Sequence, residues 1–227
     1  MNVKAINNAF MKLLFFTGIL LSLYACGNPE GRNNSGQQTD LSSIVHAEDE
    51  KAPAKIGSVS DIQKEYAAVM LKHAKKSMDS AVYKYDCGGE RSGTIVSFTE
   101  QGELKMIEHR YSEYSHFSAT DQFFVKDSSL YFVFLDQVSW SFDSDAAQAG
   151  ATKDNITEQR FYFVDQQPVK CLEKKFTVRS SAKDNPRSES VASKEVSCQS
   201  SEEVIKQYQN ILDYLKKDSK KDCLEKS

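Results

Sequence analysis

Residues 93–178 alternate between apolar and polar side chains, and their apolar positions are rich in aromatic and β-branched residues. A period of two with this composition is typical of β-strands. Three segments share an aromatic residue, four turn-forming residues and an aliphatic residue, which we interpret as three β-hairpins; they are 98–105, 124–131 and 163–170. The pattern predicts an antiparallel meander of six strands, at 93–99, 103–112, 116–126, 129–142, 158–165 and 169–178.

Helical periodicity precedes this region. Apolar residues recur at helical spacing over 62–82, and Ser60 with Gln63 fits a capping box at the start. The first helix is therefore predicted to begin at Ser60 and to end at Cys87, where two glycines follow. Its apolar stripe is interpreted as the buried face of a core helix.

A second helix is predicted to begin at Ser200, with Glu203 capping it reciprocally and an apolar stripe over 204–215. Two polar stretches, 143–157 and 180–194, are interpreted as solvated loops. The predicted fold class is α+β: an amino-terminal helix packed on an antiparallel meander of about six strands, plus a carboxy-terminal helix.

The strand at 129–142 carries apolar residues on both of its faces. A strand of this kind is covered on both sides. The first helix can cover one face of the sheet. The other face is left to the carboxy-terminal helix, to curvature of the sheet, or to a ligand or partner.

The chain has 227 residues, which fits one domain or two small ones with a real core. It carries 29 basic and 32 acidic side chains, for a net charge of −3. This mixed, mildly acidic surface argues against a nucleic-acid partner and against a polybasic mode of membrane binding.

The amino terminus has the form of an export signal. Lys12 is followed by an apolar run over 13–23, which is shorter than the roughly 20 residues of a membrane-spanning helix. The sequence Leu-Tyr-Ala-Cys-Gly at 23–27 resembles the lipobox of bacterial lipoprotein precursors. The resemblance implies removal of residues 1–25 and acylation of Cys26, with palmitate as a typical chain. The alternatives left open are an ordinary secretory signal cut nearby, and a true start at Met11.

The polar segment after Cys26 is predicted to be a flexible tether over 26–57, followed by one domain over 58–227. Gly27 and Asn28 lack the aspartate that retains lipoproteins in the inner membrane of enteric bacteria. The expected location is therefore the cell envelope, lipid-anchored at the outer membrane.

Four further cysteines are Cys87, Cys171, Cys198 and Cys223. An even number in an exported protein favours two disulfides, for which three pairings exist. We favour Cys171 with Cys198 and Cys87 with Cys223. Metal binding is the rival use, but it needs closely spaced ligand pairs that this chain lacks.

No familiar catalytic or cofactor-binding motif occurs in the sequence, so neither a cofactor nor a metal is predicted. The densest polar and aromatic stretch is 108–117, in which His109, Tyr111 and Glu113 share one face of a strand. These three residues and Trp140 are the candidate binding residues, for a sugar or a peptide. The alternative is that they pack across strands in a half-exposed hairpin.

Residues 85–89, Tyr-Asp-Cys-Gly-Gly, loosely resemble the opening of small lipoproteins that inhibit C-type lysozyme. The Ser-Gly-x-x-Tyr segment of that family is absent, because Ser92-Gly93 is followed by Thr94 and Ile95 with no tyrosine directly after them. Our leading hypothesis is a membrane-anchored, non-enzymatic binding module of the cell envelope. The alternatives are an inhibitor of an envelope hydrolase and an envelope enzyme that uses 108–117.

Overall fold

The computed structural model describes residues 55–217 and 223–224. The predicted signal segment, Cys26 and most of the predicted tether lie outside the described residues. The described part contains one sheet, two helices and a short 3₁₀ turn. Their bounds are α1 Val59–Ala74, β1 Asp79–Asp86, β2 Arg91–Glu100, β3 Glu103–Glu113, β4 Phe117–Lys126, β5 Ser129–Phe142, β6 Thr152–Val164, β7 Gln167–Arg179, the 3₁₀ turn Ser188–Ser190, β8 Lys194–Glu195 and α2 Ser201–Lys216.

The sheet is an antiparallel meander in which the strands lie in chain order. This confirms the α+β class and the meander, and the six predicted strands correspond to β2–β7. The predicted number of strands is wrong, because the described residues form eight. The first extra strand, β1, falls inside the predicted first helix, and β8 is a two-residue strand that pairs with Leu172 and Glu173.

The predicted bounds of the first helix are wrong at both ends. Ser58, and not Ser60, is the N-cap, and its hydroxyl accepts a hydrogen bond from the Asp61 amide at 3.2 Å. The helix stops at Ala74 because Lys76 takes a left-handed conformation, with φ of 53°. Its amide and that of Ser77 bond back to the last turn, which is a Schellman stop built without glycine.

The second helix has Ser200 as its N-cap, as predicted. The predicted reciprocal capping is wrong in one respect, since the Ser200 side chain makes no capping hydrogen bond. The predicted loop over 143–157 is also too long, because β6 begins at Thr152. The polar residues at the start of β6 are held by backbone pairing with β5 and β7 rather than by burial of apolar side chains.

The three predicted hairpins are confirmed. Their two-residue turns, 101–102, 127–128 and 165–166, have positive φ at both positions, as type I′ turns require. Each hairpin also carries a β-bulge three residues before the turn, after Phe98, Phe124 and Tyr162. The third segment is therefore misaligned by one residue in the sequence comparison, because Tyr162 rather than Phe163 occupies the position of the other two aromatics.

The sheet has a core on each face. On the face that α1 covers, hereafter the α1 face, the buried apolar residues are Ile62, Val69, Met106, Phe124, Tyr131, Phe132 and Tyr162. The opposite, α2 face has the larger core, which includes Ile95, Ile107, Phe123, Val133, Leu135, Phe161, Val204, Tyr208, Ile211 and Tyr214. The second helix therefore covers the face that the sequence left open.

Two disulfides join the favoured pairs, Cys87 with Cys223 and Cys171 with Cys198. Cys87 follows β1 rather than ending the first helix. Cys171 belongs to the α2-face core, and Cys87 and Cys198 pack against it. Neither helix in the described part of the chain is long and apolar enough to cross a membrane.

Candidate functional site

A cavity of about 200 Å³ lies between α1 and the α1 face of the sheet. Helical spacing brings Ile62 and Tyr66 to the same side of α1, and strand alternation turns Phe132 and Phe134 of β5 towards them. The residues that line this cavity, hereafter the α1 pocket, are Ile62, Gln63, Tyr66, Phe132, Phe134, Arg160 and Tyr162.

Aromatic rings form the walls of the α1 pocket. Tyr66 meets Phe124 and Phe132 edge-on, with ring centroids 5.0 and 5.1 Å apart. Phe132 in turn lies 4.9 Å from Tyr162. Rings that hold one another in this way favour defined geometries, so the pocket has preformed walls instead of flexible ones.

Arg160 supplies the cationic group of the α1 pocket. Its guanidinium carbon lies 4.7 Å from the centre of the Phe134 ring, and Nη2 donates to Glu158 Oε2 at 3.0 Å. Nη1 is buried and has no hydrogen-bond partner among the described residues. Leaving a buried donor unpaired is unfavourable, but Nη1 is also closed to the cavity, so an acceptor reaches it only when the partly exposed Arg160 side chain turns.

Glu158 is held in place from three sides. Besides Arg160, it receives a hydrogen bond from the Ser188 hydroxyl and lies 3.4 Å from Lys174 Nζ. Burial alone would raise the pKa of Glu158, but these hydrogen bonds and the Lys174 charge outweigh it and lower the pKa. Glu158 is therefore a fixed anion that is paired with Nη2 of Arg160.

The predicted binding residues on β3 lie on the opposite, α2 face. His109, Tyr111 and Glu113 share that face, as the strand pattern predicts. His109 is 0% exposed, its Nε2 lies 2.8 Å from the Tyr85 hydroxyl, and its ring stacks on Tyr111 with centroids 4.5 Å apart. With α2 in place, His109 has no surface with which to contact a ligand.

Gly93 makes this contact between strands possible. Tyr85 on β1 lies across its neighbour Gly93 on β2 to reach His109 on β3. A Cβ atom at residue 93 would approach the Tyr85 hydroxyl to 2.6 Å. Glycine is therefore required here by the close approach of the tyrosine ring.

Asp121 completes a buried polar cluster. It is the cross-strand partner of His109, and its Oδ2 accepts from Gln207 of α2 at 2.6 Å. Burial raises the pKa of Asp121 to about 7 and, together with the Arg91 charge, lowers the pKa of His109 to about 3. Within the described ranges, Asp121 Oδ1 and His109 Nδ1 are buried without hydrogen-bond partners. The cluster links α2 to the sheet.

Glu113 lies at the outer end of the same row of side chains. Its Oε1 is 3.4 Å from Arg91 Nε, and the Arg91 guanidinium lies 4.6 Å from the Tyr111 ring centre. Arg91 also donates to the Leu224 carbonyl oxygen at 3.3 Å. These contacts connect β2 and β3 to the chain next to the Cys87–Cys223 disulfide, so their evident role is packing; a ligand contact by Tyr111 or Glu113 stays a prediction.

Trp140 lies at the far end of β5 on the α1 face. Its Nε1 donates to the Ser115 carbonyl oxygen, and its ring lies 4.2 Å from His116 and 5.9 Å from Phe142. Phe142 is 69% exposed. The structure therefore does not bring Trp140 together with His109, Tyr111 and Glu113, and the four predicted residues do not form one site.

The residues of the α1 pocket are those that the sequence analysis missed as a site. Tyr66 and Phe132 fall in the apolar stripe of the first helix and in the strand at 129–142, which the sequence analysis interpreted only as parts of the core. Arg160 offers one usable signal. It directly precedes the aromatic run Phe161-Tyr162-Phe163, and a charged residue on the same face of a strand as buried aromatic residues is unusual. No protein-family model, curated protein or solved structure matches this chain.

Proposed function

We propose that the protein is a non-enzymatic binding module of the bacterial cell envelope that holds a small ligand in the α1 pocket. The observation that carries this proposal is the pocket itself. It is preformed, mainly aromatic and bordered by the partly exposed side chain of Arg160. Small-molecule sites in proteins combine an apolar concave lining with a few convergent polar groups in this way.

The proposal places the domain on a lipid anchor at Cys26, at the outer membrane. It is supported by the signal-like segment and by Leu-Tyr-Ala-Cys-Gly at 23–27. We expect labelled palmitate to be incorporated into the full-length protein and lost in Cys26→Ala, which should leave the membrane fraction. Labelling that persists in Cys26→Ala, or a protein that is never membrane-associated, would contradict the anchor.

The binding role is tested by native mass spectrometry of the full-length protein, gently extracted from the membranes of its own host. We expect an additional non-covalent mass on the order of 200 Da, the size that the cavity admits. A bare protein mass would contradict the proposal. A co-eluting envelope protein in place of a small mass would favour the alternative of a hydrolase inhibitor.

A matched pair of variants assigns the extra mass to the pocket. Gln63 is exposed and lines the pocket, so Gln63→Trp should fill the opening and remove the mass. Lys64 is the next residue of α1 and does not line the pocket, so Lys64→Trp should retain it. Equal retention in both variants would place the ligand elsewhere.

A further inference from the structure

We propose that the ligand of the α1 pocket is a small amphipathic carboxylate, whose carboxylate group is bound by Arg160. This inference rests on the proposed function and adds the chemical class of the ligand. It follows from the size of the cavity, from the rings that line it and from the hydrogen-bonding state of Arg160.

The cavity limits the apolar part of the ligand. Its volume of about 200 Å³ exceeds that of the roughly 150 Å³ apolar cavity that accommodates benzene in another protein. Tyr66, Phe132 and Tyr162 offer ring faces and edges to that part. One ring, or a branched chain of similar size, with a short polar extension fits these dimensions.

Arg160 determines the polar part of the ligand. Its Nη2 already bonds to Glu158, whereas its buried Nη1 lacks an acceptor among the described residues. A charge-assisted bond from a guanidinium to a carboxylate is roughly twice as strong as a neutral hydrogen bond. An anionic oxygen is therefore the acceptor that gains most beside Arg160, whose partly exposed side chain borders the cavity and turns to present the Nη1 N–H groups to it.

A carboxylate fits better than a phosphate. Arg160 is the one cationic residue among those that line the pocket, and a phosphate dianion would call for more than one positive charge. Lys174 is engaged with Ser188 and Glu158. Asp136 is within electrostatic reach of Glu158 and Arg160 but does not line the pocket.

Neutral donors can complete the binding of the carboxylate. Among the lining residues, Gln63 carries a side-chain amide, and Tyr66 and Tyr162 carry hydroxyl groups. Burial raises the pKa of Tyr162, so its hydroxyl stays protonated at neutral pH and can donate. The pocket thus places one charged and several neutral donors around an aromatic chamber.

The test is calorimetric titration of the full-length protein with 3-phenylpropionate and with its neutral isostere 3-phenylpropionamide. We expect the carboxylate to bind about tenfold more tightly or better, as expected for one charge-assisted hydrogen bond. Arg160→Gln should abolish the difference. Arg110→Gln is the matched control, because Arg110 also pairs with a buried glutamate, Glu108, but lies outside the pocket; it should preserve the difference.

The outcomes separate the ligand class from the binding role. If the wild-type protein binds the carboxylate and the amide equally well, the carboxylate class is wrong and the pocket remains a binding site. If it binds neither and the native spectrum shows bare protein, both proposals are wrong. Should Arg160→Gln fail to fold, Gln63→Trp keeps Arg160 intact and should still abolish carboxylate binding.

Discussion

The two faces of the sheet differ in how tightly they are held. Both disulfides described by the structure lie on the α2 face, whose core also contains the larger set of buried residues. The α1 face carries a helix of the same length, 16 residues, but no described disulfide. Both faces have a cavity: the one of about 200 Å³ beneath α1 is walled by aromatic rings and Arg160, whereas the one of about 330 Å³ beside α2 is lined partly by the turns at 101–102 and 127–128 and has no cationic residue in its lining. The disulfides therefore reinforce the α2 face, and the α1 face is the one on which we propose the binding site.

The polar groups on the two faces show the same contrast. On the α2 face, His109 and Asp121 are fully buried, and burial shifts both pKa values towards the neutral forms. On the α1 face, Arg160 borders an open cavity and pairs with Glu158, whose pKa is lowered. A neutral buried pair fixes an interface, whereas a charged group beside a cavity is available to a ligand.

Removing the disulfides should produce the largest effect and test whether the α2 face carries the stability. The Cys87–Cys223 bridge closes a separation of 136 residues and Cys171–Cys198 one of 27. In the chain-entropy model their losses cost about 5 and about 3.5 kcal/mol respectively, as upper values. Urea unfolding of the two paired Cys→Ala variants measures this, and a larger loss for the shorter loop would contradict the order.

Truncating one buried isoleucine on each helix compares the two faces directly. Ile211 of α2 and Ile62 of α1 are both 0% exposed. Ile211→Ala should cost about 4 kcal/mol, because it leaves a new cavity in a continuous core. Ile62→Ala should cost about 2–3 kcal/mol, because Ile62 already borders the α1 pocket. Equal losses in urea unfolding would argue against looser packing on the α1 face.

The His109–Asp121 pair should give opposite pH profiles when its members are removed singly. The raised pKa of Asp121, from 3.8 to about 7, means that stability from this group is lost as pH rises through that range. The lowered pKa of His109, from 6.5 to about 3, means that stability is gained as pH rises through its range. In the wild-type protein the two effects largely cancel between about pH 4 and 6.5.

Single variants show separately how His109 and Asp121 make the stability depend on pH. With Asp121→Asn, stability should rise with pH between about 3 and 6.5. With His109→Gln, it should fall between about 4 and 7, so that the two slopes differ by up to about 2.7 kcal/mol per pH unit. Denaturant unfolding across this range measures the slopes, and parallel profiles would show that neither group titrates as the burial implies.

The two helix caps should give the smallest difference in the free energy of unfolding. In this comparison the variant on α1 should be destabilised more than the variant on α2. Ser58 caps α1 with its hydroxyl, whereas the Ser200 side chain makes no capping bond to α2. Ser58→Ala should therefore cost about 1 kcal/mol, and Ser200→Ala less than about 0.5 kcal/mol. Thermal unfolding of both variants checks this, and a greater loss for Ser200→Ala would mean that its hydroxyl does cap the helix.

Much of the sheet was predictable because it depends on local patterns. The three type I′ turns stand between alternating segments, so β2–β7 follow from the sequence with errors of at most two residues at their ends, except that β6 begins at Thr152 rather than at 158. The even cysteine number predicted two disulfides, and the favoured pairing is the observed one, although the sequence did not decide among the three possible pairings. The error at β1 has a physical cause: Lys76 provides the left-handed stop that glycine usually provides, and Ala81 and Val82 happen to continue the helical spacing.

The α1 pocket was not predictable from one sequence. Its lining comes from α1, β5 and β6, which the chain brings together only after the sheet has formed. Tyr66 and Phe132 look like any core aromatic until the gap between them is visible. Conversely, His109 lies in a polar and aromatic stretch that is typical of a binding site, but α2 covers the part of the sheet that contains His109.

The most direct test of the account is to locate bound 3-phenylpropionate by amide chemical shifts of the isotope-labelled, full-length protein. The account predicts that titration perturbs the amides around Gln63 and Tyr66, around Phe132 and Phe134, and around Arg160, while those around Tyr208 of α2 stay unchanged. Perturbations confined to the α2 face, or to the surface around Trp140, would contradict the assignment of the α1 pocket as the binding site.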